Sequence, residues 1–225
     1  MEQWYLYKKK ADFTKIGEKF QIDPVIARLI RNRDVIGDEE IHKYLYGNLS
    51  DISDPFLMKG VREGVDIIRE KIRDRKTIRI ISDYDVDGVV SNYILWKAIY
   101  DLGGMIDFQI PDRMKDGYGI NANIIEKAVE DQIDTILTCD NGIAASEAIR
   151  FGKEHGLTMI ITDHHDVPFI LNEDGSKEEI LPPADVVINP KQKECKYPYP
   201  LLCGAGVAFQ FVRALYKSMG EDEKK

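Results

Sequence analysis

Cysteine is scarce in this chain: Cys139, Cys195 and Cys203 are the three in 225 residues, and no Cys-x-x-Cys pair occurs. An odd, unclustered set reads as a reduced, cytoplasmic chain rather than a disulfide framework. Long apolar runs are missing too. No stretch approaches the ~20 apolar residues of a membrane-spanning helix, and Met1-Glu2-Gln3-Trp4-Tyr5 has no apolar signal-peptide core. Nor does any segment repeat at a fixed period. Positive charge is in deficit, with 31 Lys and Arg against 39 Asp and Glu for a net charge of −8. That weighs mildly against a nucleic-acid surface built on bulk charge. A pair of bound divalent cations would return positive charge at one spot, so the deficit excludes little by itself.

Enough apolar residues are present, 44%, for an ordinary core. Residues 1–50 are basic at first (Lys8-Lys9-Lys10) and then helical in pattern, as in Pro24-Val25-Ile26-Ala27-Arg28-Leu29-Ile30. They carry no catalytic constellation and read as a small helical extension. Ser50-Asp51-Ile52-Ser53-Asp54-Pro55 has turn chemistry and links it to a main domain over 51–225. Val61, Val65, Ile68 and Ile72 mark an amphipathic helix within 57–74. From there strand and helix alternate. Strands are expected at 78–82, 105–110, 134–139, 157–162 and 185–188. Helices are expected at 88–102, from Asn121, at 143–155 and from about 204, with a polar loop over 172–179. On helix 88–102, Val89, Tyr93, Trp96 and Tyr100 share one face; on the last helix Val207, Phe211 and Leu215 do. Alternation with short connections predicts an α/β fold, a parallel sheet with helices on both faces.

The strand ends carry the chemistry. Asp83-Tyr84-Asp85-Val86-Asp87-Gly88 follows the apolar run at 78–82. Carboxylates this close resist joint ionisation, and a divalent cation relieves them. Asp140-Asn141-Gly142 follows a second run and Asp163-His164-His165 a third. Three such clusters at strand ends predict one metal site assembled in space. Imidazole beside carboxylate favours Mn²⁺ over Mg²⁺, and Asp163 or Asp166 can orient an imidazole from behind. Between the clusters, Arg113 can hold a phosphate by two parallel hydrogen bonds. Gly117 and Gly119, flanking Tyr118, allow close backbone approach.

Rival readings fall short. A calcium-binding EF-hand loop needs Glu at its twelfth position, which here is Ile94. Haloacid-dehalogenase-like phosphatases share Asp85-x-Asp87-Gly88, and Thr138 or Thr162 could supply their hydroxyl, but their later Lys and acidic pair have no good candidates. Capping of turns and helix starts explains an isolated Asp-x-Asp, less well three clusters together.

With Pro111-x-Arg113, Gly117-Tyr118-Gly119 and Leu202-Cys203-Gly204-Ala205-Gly206-Val207-Ala208 added, in this order, the chain resembles the DHH phosphoesterase family from about residue 50 onward. Asp83-Tyr84 is most similar to its single-strand-specific 5′→3′ exonuclease branch. Relatives acting on cyclic dinucleotides or very short oligonucleotides carry a His and a Pro-Asp version of this motif, and Ile81 stands where that His would be. The resemblance implies two metal ions, Mn²⁺ with Mg²⁺ as the alternative, about 3.5–4 Å apart as in other two-metal sites. Asp140 would bridge them, with Asp85, Asp87 and His164 as terminal ligands and Asp83 in a weaker role. His165 and Arg113 would hold the phosphate beside Gly117, Tyr118 and Gly119. The implied substrate is single-stranded DNA, cut from its 5′ end to 5′-mononucleotides in repair and recombination. A helicase or single-strand-binding protein would be the partner, and no membrane is involved. The family also has a further Asp ligand and a C-terminal DHHA1 domain, which the sequence up to Lys225 does not include. The chain therefore reads as an N-terminal part with an incomplete metal site, which puts the activity of this fragment alone in question.

Overall fold

A computed structural model describes residues 3, 9–114 and 119–221 of the chain. The chain divides into two compact units, Met1–Ser53 and Asp54–Lys225.

The first unit holds three short helices, α1 (Phe13–Phe20), α2 (Pro24–Asn32) and α3 (Asp38–Tyr46). Asp12 and Asp23 cap the first two, accepting from the N–H groups of Lys15 and Val25. Phe20, Ile30 and Ile41 meet in a small core, and the Tyr46 hydroxyl donates to the Phe20 carbonyl at 3.0 Å.

In the second unit a short 3₁₀ turn (Pro55–Leu57) precedes α4 (Val61–Arg73). There follow β1 (Thr77–Ser82), α5 (Val86–Asp101), β2 (Met105–Gln109), α6 (Ala122–Glu130), β3 (Thr135–Cys139), α7 (Ser146–Glu154) and β4 (Thr158–Thr162). A hairpin of β5 (Phe169–Leu171) and β6 (Lys177–Glu179) leads to β7 (Val186–Ile188) and α8 (Gly204–Met219). The main sheet is parallel throughout, in the order β2-β1-β3-β4-β7. Alternate side chains feed two cores. Ile78, Ile80, Leu137 and Ile160 pack under α4, α5 and α8. Ile81, Ile136, Met159 and Ile161 pack under α6 and α7. The expected parallel sheet covered on both faces is the observed fold.

Two details differ from the sequence expectation. Of the four residues expected on one face of α5, Val89, Tyr93 and Tyr100 lie on the outer side, 43%, 62% and 58% exposed, while Trp96 is half-buried and packs against the core. The core side of α5 is formed by Leu95, Ala98 and Ile99. The segment 172–179 is no plain loop, since it turns the β5–β6 hairpin through Gly175 at φ +80°. Its Asp174-Gly175 is a hairpin signal, but strands of three residues are too short to show alternation.

The strand order decides where the site lies. From β1 the chain crosses to β2 on one side and later returns as β3 on the other. The C-terminal ends of β1 and β3 therefore flank a topological switch point, where connecting loops diverge and leave a crevice.

Candidate active site

Asp83, Asp85 and Asp87 follow β1 into this crevice. Asp83 is buried, and its Oδ1 accepts the N–H of Tyr84 at 2.7 Å. Asp85 is the N-cap of α5, accepting from Gly88 at 3.0 Å. Gly88 has to be glycine, because a Cβ there would lie 2.4 Å from the Asp83 carbonyl oxygen. Asp87 points across to the start of α8. Its two oxygens accept the N–H groups of Gly204 and Ala205 at 2.6 and 2.8 Å.

Asp140 follows β3 in left-handed backbone, φ +58°, which strains any residue but glycine and least strains Asn or Asp. Its side chain is 2% exposed. Oδ1 lies 3.0 Å from His164 Nε2 but off hydrogen-bonding geometry, and has no hydrogen-bond partner among the described residues. Burial, with the charges of Asp87 and Asp85 added, pushes the Asp140 carboxyl up to about 7. Gly204 presses against it: a Cβ at 204 would lie 2.7 Å from Asp140 Oδ1 and 2.8 Å from its Cγ.

Asp163 follows β4 and is 1% exposed. Oδ2 accepts from Ile143 N at 2.9 Å, and Oδ1 accepts from the N–H groups of His164 and His165. Burial raises its pKa, but these bonds and that of the His165 ring outweigh it, so Asp163 stays below the usual carboxylate range. His165 Nδ1 is 2.8 Å from Asp163 Oδ1. An ionised carboxylate only accepts, so Nδ1 carries the proton and Nε2 is left for a ligand. The same bond raises the His165 pKa above its ordinary value. Of the two orienting candidates, Asp163 is the one bonded to an imidazole; Asp166 pairs with Lys191 at 2.8 Å instead.

Two overlapping groups could hold metal. Ligand atoms of Asp83, Asp85 and Asp140 lie within 4.8 Å of one another, as do those of Asp140, His164 and His165. Asp140 belongs to both. Asp87 borders them, with Oδ2 3.5 Å from His164 Nε2. A buried oxygen with no donor, among carboxylates that raise its pKa, suits a divalent cation. Arg113 is exposed on the loop after β2, its guanidinium 5.6 Å from the centre of the Tyr84 ring, and is not in either group. Gly117 and Tyr118 lie outside the described residues. Gly119 borders a hollow of about 330 Å³ shared with Asn141 and His165.

The sequence reading missed three contributions. The N–H groups of Gly204 and Ala205 anchor Asp87. Asn189, after β7, donates from Nδ2 to the His165 carbonyl at 2.9 Å. Asn141 is buried, with neither end of its amide bonded among the described residues. Asn141, Gly204 and Ala205 stand inside recognised motifs, but nothing local says which distant groups they meet. Asn189 stands in no motif at all.

Residues 77–225 match the model of the DHH family, N-terminal domain. The chain is 36% identical to the single-stranded-DNA-specific exonuclease RecJ of Bacillus subtilis over 98% of its own length and 27% of the relative's. It is 31% identical to RecJ of Escherichia coli over 87% of itself and 32% of that protein. Among solved structures it is similar to exonuclease RecJ bound to manganese, with a TM-score of 0.61 at 32% identity over 74% of this chain and 40% of that one. RecJ of Thermus thermophilus in complex with Mn²⁺ gives 0.63 at 25% identity over 94% of this chain and 28% of that one. The chain spans about a third or less of the length of these curated relatives.

Proposed function

The chain belongs to the DHH family, N-terminal domain, and from that premise we propose that residues 51–225 form the catalytic domain of a metal-dependent phosphodiesterase. Residues 1–50 are its helical extension. Its substrate is single-stranded DNA, shortened from the 5′ end to 5′-mononucleotides in repair and recombination. The observation that carries the reading is the Asp140 carboxylate, buried, unbonded at Oδ1 and shared by both candidate metal groups.

Asp140, Asp85, Asp87 and His164 would hold two Mn²⁺ ions, with Asp83 beside them. The fit rests on the donor set and on the raised pKa of Asp140, which a cation would reverse. When bound, such ions supply Lewis-acid polarisation of the phosphate and a lowered pKa of water. The chain's own residues do the rest. Asp163 holds the His165 ring through Nδ1 and favours its protonated form, in which Nε2–H would donate to a phosphate oxygen and offset charge that develops there. Arg113, beside Tyr84 at the rim, offers a planar pair of donors to the same or the next phosphate. Asp87 holds the start of α8, and Gly204 packs against the Asp140 carboxyl and keeps it in place. We further propose action in the cytoplasm, in keeping with three free cysteines, and cooperation with a helicase or single-strand-binding protein.

The test is hydrolysis of a 5′-labelled single strand by the intact protein with Mn²⁺, against Asp140→Ala. Release of 5′-mononucleotides, lost in the variant, supports the reading. Turnover of cyclic dinucleotides or simple phosphomonoesters in place of the strand overturns it.

A further inference from the structure

The β5–β6 hairpin has no part in the chemistry above, yet it stands beside it. Lys177, Lys191 and Lys193 border a groove of about 540 Å³ that begins at Asp166, the residue after His165. Phe169, 48% exposed, lies in the same groove, and the Lys177 ammonium sits 4.1 Å from the centre of its ring. Against these three lysines stand two carboxylates, Asp166 and Glu179. The lining thus carries one more positive than negative charge, in a chain of net charge −8.

Its register with the site is built. Asn189 is fully buried and bonds in two directions: Nδ2 donates to the His165 carbonyl, and Oδ1 accepts the Lys191 N–H, both at 2.9 Å. The Lys193 N–H donates to Glu179 Oε1 at 2.6 Å, which ties the lysine run to the hairpin. The lysine run 191–193 is thereby fixed to His165 on one side and to β6 on the other. The Lys191–Asp166 pair, 2.8 Å long, involves an Asp side chain 94% exposed. An ion pair so exposed is weak and exchanges easily for another anion.

A single phosphate would need one such lysine. Three ammonium groups bordering one groove next to the site, with an exposed aromatic ring among them, suit a chain of phosphates with bases to stack. We propose that this groove is the track for the phosphodiester backbone of the single strand as it leaves His165, with Lys177, Lys191 and Lys193 against its phosphates and Phe169 under a base. The inference rests on the phosphodiesterase reading above and extends it from the scissile bond to the strand beyond.

The test compares the intact Mn²⁺-loaded protein with its Lys177→Glu/Lys193→Glu variant on two substrates, a long single strand and a dinucleotide. Both lysines are exposed, so the fold survives the change. For the long strand KM rises roughly tenfold or more, and the slope of log affinity against log salt falls by about 1.4, at ~0.7 for each phosphate no longer neutralised. Dinucleotide kcat/KM stays unchanged, because that substrate ends before the groove. The Lys177→Arg/Lys193→Arg variant restores long-strand binding. An unchanged KM and salt slope, or an equal loss on both substrates, overturns the track. A wild-type protein that cleaves neither substrate overturns the phosphodiesterase reading itself, and the track with it.

Discussion

Asp87, in the first turn of α5, accepts the N–H of Gly204, the first residue of α8, at 2.6 Å across a sequence separation of 117 residues. A carboxylate at a helix N-terminus meets both free N–H groups and the positive end of the helix dipole. The bond therefore fixes α8 to the loop after β1, and through Gly204 it fixes what Asp140 touches.

Gly204→Ala should disrupt the site without removing any ligand. The new Cβ would overlap the Asp140 carboxyl, and relieving such overpacking costs about 1–3 kcal/mol. Calorimetric titration with Mn²⁺ should show affinity lowered roughly tenfold or more, since ~1.4 kcal/mol is a factor of ten in a binding constant. Unchanged affinity would mean that Asp140 can turn aside freely.

Asp140→Asn should stabilise the metal-free chain while abolishing metal binding. The wild-type carboxyl, raised to about 7, holds its proton more tightly folded than unfolded. Its contribution to stability is thus lost as pH rises from the ordinary Asp range through 7. Urea unfolding at pH 8 with chelator present should find the variant more stable by a few kcal/mol, because each tenfold weakening of an acid by the fold is worth ~1.4 kcal/mol. The advantage should vanish near pH 4, on the same linkage. A variant no more stable at pH 8 would refute the cost assigned to burying this carboxylate.

Asp163→Asn should lower the His165 pKa, because the hydrogen bond that raises it loses its charge. NMR titration of the imidazole reads this directly, and an unmoved midpoint would show that Asp163 does not govern the ring. Asp163 titrates low when folded, so it stabilises the fold above the ordinary Asp pKa and loses that as pH falls. The variant should be destabilised by about 1–3 kcal/mol at neutral pH, the usual cost of weakening bonds to buried donors. The deficit should shrink in acid.

Mn²⁺ should raise the melting temperature and EDTA should reverse the rise. At a hundredfold excess over Kd the gain is about 2.7 kcal/mol. Asp85→Ala and Asp140→Ala should each remove most of it; an undiminished rise in both would move the ion elsewhere on the chain.

The alternation of strand and helix, the acidic and imidazole clusters at strand ends, and the Asn121 cap that accepts from Ile124 N were legible from the residues alone. These are local matters: apolar period, turn chemistry and caps lie within a few neighbouring residues. The folded chain alone places β1 between β2 and β3, so that Asp83 to Asp87 and Asp140 face one crevice. It likewise sets His165 against Asp163 and His164 against Asp140, and turns Tyr93 and Tyr100 of α5 outward while Trp96 packs against the core. Strand order and a carboxylate's choice among distant N–H groups depend on packing between segments far apart in the chain. No periodicity within one segment records which of them will meet.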